Sequence, residues 1–155
     1  MGAGVITVRR LEADDLPAVA GLAAANQPQP WTIGIFEDEL QAKDRCYLVA
    51  EAGAIVGFGG VMVVGEDGHV TNLLVAPEQR RRGIGRELFV TLVREAIALG
   101  ARNLTLEVRA DNVPARRLYG QFGLVPVGIR PGYYQGEDAL ILWAHDIDDR
   151  PGRLQ

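Results

Sequence analysis

The sequence predicts an α/β fold in which helices flank a mixed, mostly antiparallel central sheet. Short apolar runs typical of strands and longer amphipathic runs typical of helices follow one another in the order β-α-α-β-β-β-α-β-α-β-β. The chain has 155 residues, of which 48% are hydrophobic, and this is enough for a sizeable core. We therefore expect one domain over residues 1–146.

In the first half of the chain, turn and capping residues set the limits of the helices. We expect Asp14 or Asp15 to cap a first helix that runs to about Ala25. Thr32 is expected to cap a second helix that ends near Leu40. The strands predicted in this half span residues 6–8, 46–51, 55–64 and 69–75.

The second half contains the longest predicted helix, followed by a strand, a short helix and a hairpin. Apolar residues of the long helix form one stripe at positions 84, 88, 92, 96 and 99, and Gly100 ends it. Asn112 is expected to cap the short helix. The predicted strands span residues 104–108, 125–133 and 139–146, and the polar segment 147–155 is expected to be a loose tail.

Composition excludes several classes of protein. The net charge of −4 argues against a general nucleic-acid binder. No apolar run is long enough to cross a membrane, and the first residues lack the basic segment of a signal peptide, so we expect a cytoplasmic protein. The single cysteine, Cys46, opens an apolar run and is expected to be a core residue. With only two histidines beside it, we predict no metal site.

A glycine-rich turn joins the strand at 69–75 to the longest helix. It reads Arg80-x-x-Gly83-x-Gly85. Backbone N–H groups at a helix N-terminus have no helical partner, and glycine lets a phosphate approach them closely. The turn therefore predicts a phosphate or pyrophosphate site, and the alternative is an ordinary helix start with solvated arginines.

Two common phosphate loops do not match this turn. A Walker A loop ends in Gly-Lys-Ser/Thr, whereas Gly85 is followed by Arg86 and Glu87. A dinucleotide-binding fingerprint requires a third glycine at the position that Leu88 occupies. The turn therefore belongs to neither class.

Glu107 lies within the strand at 104–108, between apolar neighbours. A carboxylate in such a position is costly unless it has a partner or a function, and burial would suit it to accept a proton as a general base. The alternative is a structural carboxylate that pairs with Arg109 or another arginine.

Tyr119 and Asn112 lie two turns apart and share one face of the short helix. The Tyr119 hydroxyl needs a partner if it is buried, and a tyrosine beside a leaving thiolate can act as a general acid. The alternatives are a core tyrosine and, for Asn112, a plain N-cap.

Several of these motifs, in this order, resemble one enzyme superfamily. The turn at 80–85 resembles the acetyl-CoA pyrophosphate loop of the GCN5-related N-acetyltransferases (GNAT). Residues 106–142 resemble the C-terminal half of the ribosomal-protein-alanine N-acetyltransferases within it, and 30–40 and 72–75 fit that family's substrate-side loop and the strand before the phosphate loop. The resemblance covers roughly residues 5–146.

The resemblance implies an enzyme that transfers acetyl from acetyl-CoA to the α-amino group of a protein N-terminus by direct attack, without a metal. It implies that Glu107 is the base, that Tyr119 is the acid, and that strand 72–75 parts from strand 104–108 to admit pantetheine. The implied cofactor-binding residues are Leu73, Leu74, Val75, Arg80, Arg81, Arg82, Gly83, Ile84, Gly85, Arg86, Asn112 and Tyr119. The implied acceptor-binding residues are Trp31, Asn72, Glu107, Tyr133 and Tyr134.

The identity of the acceptor stays open at this point. A protein N-terminus, such as that of a ribosomal protein, is the first hypothesis. A small-molecule amine or a lysine side chain is the alternative, with Glu37, Asp38 and Glu39 as the acidic residues of such a pocket. A third hypothesis is an acetyl-CoA-binding module without turnover. We expect a monomer or weak dimer that binds neither nucleic acid nor membrane.

Overall fold

The computed structural model describes residues 5–80, 82–134 and 136–147. Its strands span Thr7–Arg10 (β1), Arg45–Ala52 (β2), Ala54–Val64 (β3), Asp67–Val75 (β4), Asn103–Arg109 (β5), Val125–Tyr134 (β6) and Glu137–Ala144 (β7). Its α-helices span Leu16–Asn26 (α1), Ile33–Gln41 (α2), Ile84–Ala98 (α3) and Val113–Gln121 (α4), with short 3₁₀ turns at Ala13–Asp15 and Pro77–Gln79. The predicted class and element order are confirmed.

All seven strands form one sheet in the order β1-β2-β3-β4-β5-β7-β6. The tight connections between consecutive strands make their pairs antiparallel, as expected for hairpins. Only β4 and β5, which α3 connects, pair in parallel among the described strands. This one parallel pair places the C-terminal ends of β4 and β5 side by side.

Two apolar layers cover the two faces of the sheet. On one face α3 packs against β2, β3 and β4, and α4 joins the same cluster through Tyr119 and Leu118. On the other face α1 and α2 pack against the sheet around Phe36 and Phe58. Because side chains alternate along a strand, each strand supplies residues to both layers.

The buried stripe of α3 differs from the predicted one at its end. Leu99 is the C-cap residue and is 37% exposed, because the helix stops there and Gly100 turns the chain with a φ of 103°. Phe89 and Val93 are buried in addition to the predicted positions. The stripe is therefore wider at its middle and shorter at its end than the sequence indicated.

Several strand limits also differ from the prediction by one or two residues. β4 begins at Asp67, because Val64 and Asp67 already pair across the turn at Gly65, whose φ is 61°. β7 spans Glu137–Ala144 rather than 139–146. Ile147 donates a backbone hydrogen bond to the Arg102 carbonyl (2.8 Å) and packs on the core, so it is not part of a loose tail. The rest of the predicted tail lies outside the described residues.

Asp15 stands at the N-cap position of α1, but its carboxylate does not cap that helix. It accepts two hydrogen bonds from the Arg9 guanidinium (2.8 and 2.9 Å) and one from the Glu12 backbone N–H (2.8 Å). Arg9 also donates through Nε to Glu51 of β2 (2.7 Å). The Arg9 guanidinium therefore ties β1, β2 and the start of α1 together, and it holds the pKa of Asp15 below its usual value.

None of the helices in the described part of the chain is long and apolar enough to cross a membrane.

We predict that Asp15→Asn lowers the free energy of unfolding by about 1–3 kcal/mol at neutral pH, since it weakens charge-assisted hydrogen bonds in a buried site. A depressed folded-state pKa stabilises the protein above the unfolded pKa, and this contribution is lost as the pH falls through the folded value. The difference from wild type should therefore be complete at pH 7 and shrink below about pH 4. Urea unfolding at pH 7 and below about pH 4 measures this difference in unfolding free energy. Asp14→Asn, next to it but exposed, is the control, and equal effects of the two changes would contradict the prediction.

Candidate active site

The two parallel strands separate part-way along their length. β4 and β5 pair only at Asp67–Asn103, Gly68–Leu104 and His69–Thr105. Beyond His69 and Thr105, each strand keeps its other neighbour, β3 for β4 and β7 for β5. A gap lined by backbone therefore opens in the sheet, as the family resemblance implied.

Alternation of the backbone decides which groups of β4 point into this gap. The Ala76 N–H bonds to Val56 of β3 (2.8 Å), and the Leu74 carbonyl oxygen also lies against β3, where a Cβ on Gly57 would come within 2.9 Å of it. Backbone groups of successive residues point to opposite sides of a strand. The N–H groups of Leu73 and Val75 therefore point into the gap, whereas Leu74 uses its backbone for β3 and buries its side chain.

The N-terminus of α3 adjoins the end of β4. Gly83 is its N-cap residue with a φ of 79°, and no side chain caps the helix. Glu87 donates a backbone hydrogen bond to the Gly83 carbonyl (3.0 Å), and within the described part of the chain the N–H groups just before Glu87 have no backbone partner outside the helix. A Cβ built on Gly85 would lie 3.7 Å from a Val75 methyl, which places this turn beside the gap. The arrangement fits an anionic group.

The arginines of this turn have different surroundings. Arg82 donates to Gln79 within the same turn. Arg86 donates to Gln121 of α4 (2.7 Å), and its guanidinium lies 5.0 Å from the centre of the Phe122 ring. Arg80 is exposed, and Arg81 lies outside the described residues. The turn and α4 are thus joined around the N-terminus of α3, where the positive charge of the arginines favours an anion.

α4 carries the two predicted residues of the short helix. Asn112 caps it, because the side-chain oxygen accepts the Ala115 N–H (3.2 Å). Tyr119 is 6% exposed, and its ring packs 5.1 Å from that of Phe89. Burial and, to a smaller extent, the neighbouring Tyr134 raise the pKa of Tyr119 above its usual value. Its hydroxyl is therefore protonated across the neutral pH range.

Glu107 lines a cavity of about 450 Å³ on the opposite face of the sheet. Glu107 alternates with Leu106 and Val108, which belong to the α3-side core, so its side chain points to the α2 side. The other described lining residues are His69, Val70, Thr71, Thr105, Leu106, Arg130, Tyr133, Tyr134, Ile141 and Trp143. Three of the predicted acceptor-side residues, Glu107, Tyr133 and Tyr134, therefore meet in one cavity.

The arginine beside Glu107 is Arg130 of β6, not Arg109. Arg130 Nε lies 2.8 Å from Glu107 Oε2, so the two side chains form an ion pair. Arg109 instead pairs with Asp111 (3.0 Å). The Glu107 side chain is 30% exposed rather than deeply buried, because the cavity opens above it. Glu107 can therefore form its ion pair with Arg130 and still be reached by a substrate.

Two adjacent tyrosines, Tyr133 and Tyr134, lie close to residues of both faces of the site. The rings of Tyr133 and Tyr134 lie 5.0 Å apart, and the Arg130 guanidinium lies 5.5 Å from the Tyr133 ring. Burial raises the pKa of Tyr134, and the negative charge of Glu107 raises it further. Since Tyr134 also influences Tyr119, it lies within electrostatic reach of both the proposed base and the proposed acid.

Trp31 is not among the residues that line this cavity. Its indole packs edge-on against Phe36 (5.3 Å) and Tyr47 (6.1 Å). Tyr47 lies beside Thr71, which does line the cavity, since a Cβ on Gly60 would touch both side chains. Trp31 thus supports the α2 side of the site indirectly, because Tyr47 lies between it and the cavity lining.

A β-bulge in β4 was not predicted from the sequence. Gly60 of β3 pairs with Asn72 and the next residue, Val61, pairs with Val70, so Thr71 is an extra residue. The bulge turns Thr71 towards the cavity just before the gap begins, and Asn72, which is half-buried, follows it. The two successive polar residues, Thr71 and Asn72, interrupt the apolar–polar alternation of the strand, and this is the one mark that the bulge leaves in the sequence.

Cys46 is buried, as predicted, and belongs to the α3-side core. Its Sγ lies 3.6 Å from Glu95 Oε1. Burial and this carboxylate raise the pKa of the thiol to about 11, which disfavours the nucleophilic thiolate.

A second groove in the structure lacks a cluster of ionisable side chains among its described residues. This more open groove of about 560 Å³ lies between α1 and the 3₁₀ turn at Pro77–Gln79, but its described lining contains only one ionisable side chain, Glu78. No cluster of three or more potential metal ligands occurs among the described residues.

Comparison with known proteins identifies sequences and structures similar to this chain. Residues 7–124 match the model of the acetyltransferase (GNAT) family. A Bacillus subtilis (strain 168) protein named "Putative ribosomal protein bS18-alanine N-acetyltransferase" is 40% identical over 140 residues, which cover 88% of this chain and 93% of that protein.

Solved structures are similar to nearly the whole described fold. The crystal structure of the ribosomal-protein-S18-alanine N-acetyltransferase from Escherichia coli matches with a TM-score of 0.81 and 30% identity, over 95% of this chain and 98% of that chain. Arabidopsis thaliana NAA60 in complex with acetyl-CoA matches with a TM-score of 0.81 over 91% of this chain and 98% of that chain, but at 20% identity this likeness shows the fold alone.

We predict that Gly83→Ala weakens the binding of coenzyme A at least tenfold, measured by isothermal titration calorimetry. A Cβ at a φ of 79° strains the backbone of the turn and tilts the N–H groups away from the anion. Gly53→Ala is the matched control, since Gly53 has a φ of 82° and equally free surroundings but lies in the β2–β3 turn. Equal affinity of the two variants for coenzyme A would exclude the anion site.

Proposed function

The chain belongs to the acetyltransferase (GNAT) family, and we propose that it transfers acetyl from acetyl-CoA to the α-amino group of a protein N-terminus. A ribosomal protein is the acceptor class that we favour. The observation that carries this proposal is the 40% identity, over 88% of the chain, to the Bacillus subtilis relative named for bS18-alanine acetylation. The cavity that contains Glu107, Tyr133 and Tyr134 supports it.

The residues around the gap fit acetyl-CoA as the acetyl donor. The uncapped N-terminus of α3 would hold the pyrophosphate, with Gly83 and Gly85 leaving room for it. The N–H and C=O groups of Leu73 and Val75 would bond the amide groups of the pantetheine arm, much as a neighbouring strand would. When bound, acetyl-CoA supplies a thioester carbonyl that an amine can attack.

Each side chain then has one step to perform. Glu107, reached through the cavity, takes the proton of the acceptor ammonium, either directly or through water. A backbone N–H of β4 that points into the gap stabilises negative charge on the carbonyl oxygen. Tyr119, which is protonated at neutral pH, gives its proton to the departing thiolate. Cys46 takes no part, since its raised pKa and burial argue against an acyl-cysteine.

The strength of base that the reaction requires favours an α-amine. An α-amino group has a pKa of about 7.7–8.0, so roughly a tenth of it is neutral at pH 7. A lysine amine with a pKa of about 10.4 is only about 0.04% neutral. An acceptor amine that is often neutral without help depends less on Glu107 than a lysine amine does, and this favours the α-amine.

No observation favours the small-amine alternative. The acidic residues suggested for such a pocket lie on α2 and do not line the cavity. Glu37 and Asp38 are exposed, and Glu39 accepts a hydrogen bond from Tyr47 (2.5 Å) and pairs with Arg45. Glu107 is the single carboxylate of the described cavity lining, and Arg130 balances its charge. A polycationic amine would find little attraction there.

We predict that Glu107→Gln lowers kcat by roughly 10²–10⁴ and that the loss shrinks as the pH rises, because the amine then loses its proton unaided. Tyr119→Phe should also lower kcat, with little change in the affinity for acetyl-CoA. Steady-state kinetics across the pH range measures both. Glu66→Gln, in the exposed β3–β4 turn, is the control. Near wild-type turnover of both site variants would contradict the assigned roles.

The acceptor itself is tested with two peptides of the same composition. We expect a peptide with a free N-terminal alanine to be acetylated much faster than one that is blocked at its N-terminus and offers an internal lysine. Mass spectrometry locates the acetyl group. Equal rates, or activity confined to small amines, would overturn the proposed acceptor and leave the family assignment intact.

A further inference from the structure

The cavity extends beyond Glu107 to an aromatic floor that the proposed chemistry does not use. His69 of β4 and Trp143 of β7 are the two register partners of Thr105 in β5, so these three residues form one row across the paired part of the sheet. The indole of Trp143 meets the His69 ring edge-on (6.5 Å) and stacks on His145 (5.6 Å, 10° between planes). The orientation of the indole is therefore held by its neighbours.

The Thr105 hydroxyl of this row has little left to offer a ligand, so the aromatic rings of His69 and Trp143 dominate its surface. Thr105 is 3% exposed, and its hydroxyl donates to the Leu142 carbonyl (2.8 Å). The nearest charge, on Glu107, is balanced by Arg130. The rest of the described lining at this end is apolar or aromatic, with Val70, Ile141 and Trp143. Such a floor suits an apolar or aromatic side chain better than a charged one.

The distance along β5 from this row to Glu107 matches the two-residue repeat of an extended peptide. Thr105 and Glu107 are two residues apart on one strand, which is about 7 Å. In an extended acceptor the first and third residues are separated by the same distance, and their side chains lie on the same side. An acceptor whose α-amine is at Glu107 and whose chain follows β5 would therefore place its third side chain over the row.

We propose that His69 and Trp143 form a specificity subsite that binds an apolar or aromatic side chain at the third residue of the acceptor N-terminus. The inference rests on the proposed function, because it assumes an acceptor that enters with its chain end. It assigns a preference that Glu107 and Tyr119 do not determine, since neither of them lies in this row.

Three peptides with a free N-terminus test the subsite: Ala-Ser-Xaa followed by one constant glycine–serine tail, with glycine, phenylalanine or arginine as Xaa. We expect wild-type kcat/KM to be about tenfold higher for phenylalanine than for glycine, which corresponds to about 1.4 kcal/mol. Trp143→Ala should reduce this ratio to nearly one. The ratio is measured within each variant, so a general loss of activity cancels.

Two further variants separate the subsite from effects on folding. His69→Ala changes an exposed residue and should also lower the ratio, which keeps the test valid if Trp143→Ala does not fold. Val125→Ala is the matched control: Val125 pairs with Trp143 from β6 and is 56% exposed, but it does not line the cavity. The ratio of this control should stay at the wild-type value.

The possible outcomes distinguish the two proposals. Equal wild-type rates with glycine and phenylalanine overturn the subsite and leave N-terminal acetylation standing. A preference for arginine over phenylalanine overturns the assigned side-chain class. If wild type acetylates none of the three α-amines but does acetylate a lysine in a blocked peptide, both the proposed function and the subsite are wrong.

Discussion

The incomplete pairing of β4 with β5 is the constraint on which the rest of the site depends. Three residue pairs hold the strands together up to His69 and Thr105, and beyond them backbone groups of Leu73 and Val75 have no strand to bond. Unpaired backbone inside a sheet is costly unless another group bonds it. A ligand with amide groups is one such partner. The gap also connects the two faces of the sheet, so that a donor and an acceptor can meet from opposite sides.

The two faces of the sheet present different side chains around the gap. On the α3 side, an uncapped helix N-terminus, several arginines and the buried Tyr119 create a positive, partly apolar environment. On the α2 side, Glu107 and Arg130 balance each other within an aromatic cavity. The first environment favours a polyanion, and the second carries little net charge. This division of charge is consistent with the proposed entry of acetyl-CoA and of the acceptor from opposite faces.

The charged network at the other end of the sheet has a structural task. Arg9 bonds Asp15 and Glu51, so β1, β2 and the start of α1 share one guanidinium. This arrangement fixes the start of α1, and with it the layer in which Phe36, Tyr47 and Trp31 pack. Tyr47 in turn lies against Thr71 in the bulge of β4. The α2 side of the cavity is thus supported by a continuous series of packed side chains that begins far from the chemistry.

The sequence alone determined the element order and the glycine turn before α3, because these follow from local patterns of polarity, glycine and capping residues. The roles of Glu107 and Tyr119 came instead from the family resemblance of the motifs around them, and they stay predictions. The sequence also indicated that a carboxylate within β5 needs a partner. Which arginine fills that role was decided only by the tertiary structure: the β6–β7 register and its bulges bring Arg130 to Glu107, whereas Arg109 turns to Asp111. The row of His69, Thr105 and Trp143 likewise exists only through pairing of three strands. Register depends on long-range contacts between strands, which no local pattern in a single sequence specifies.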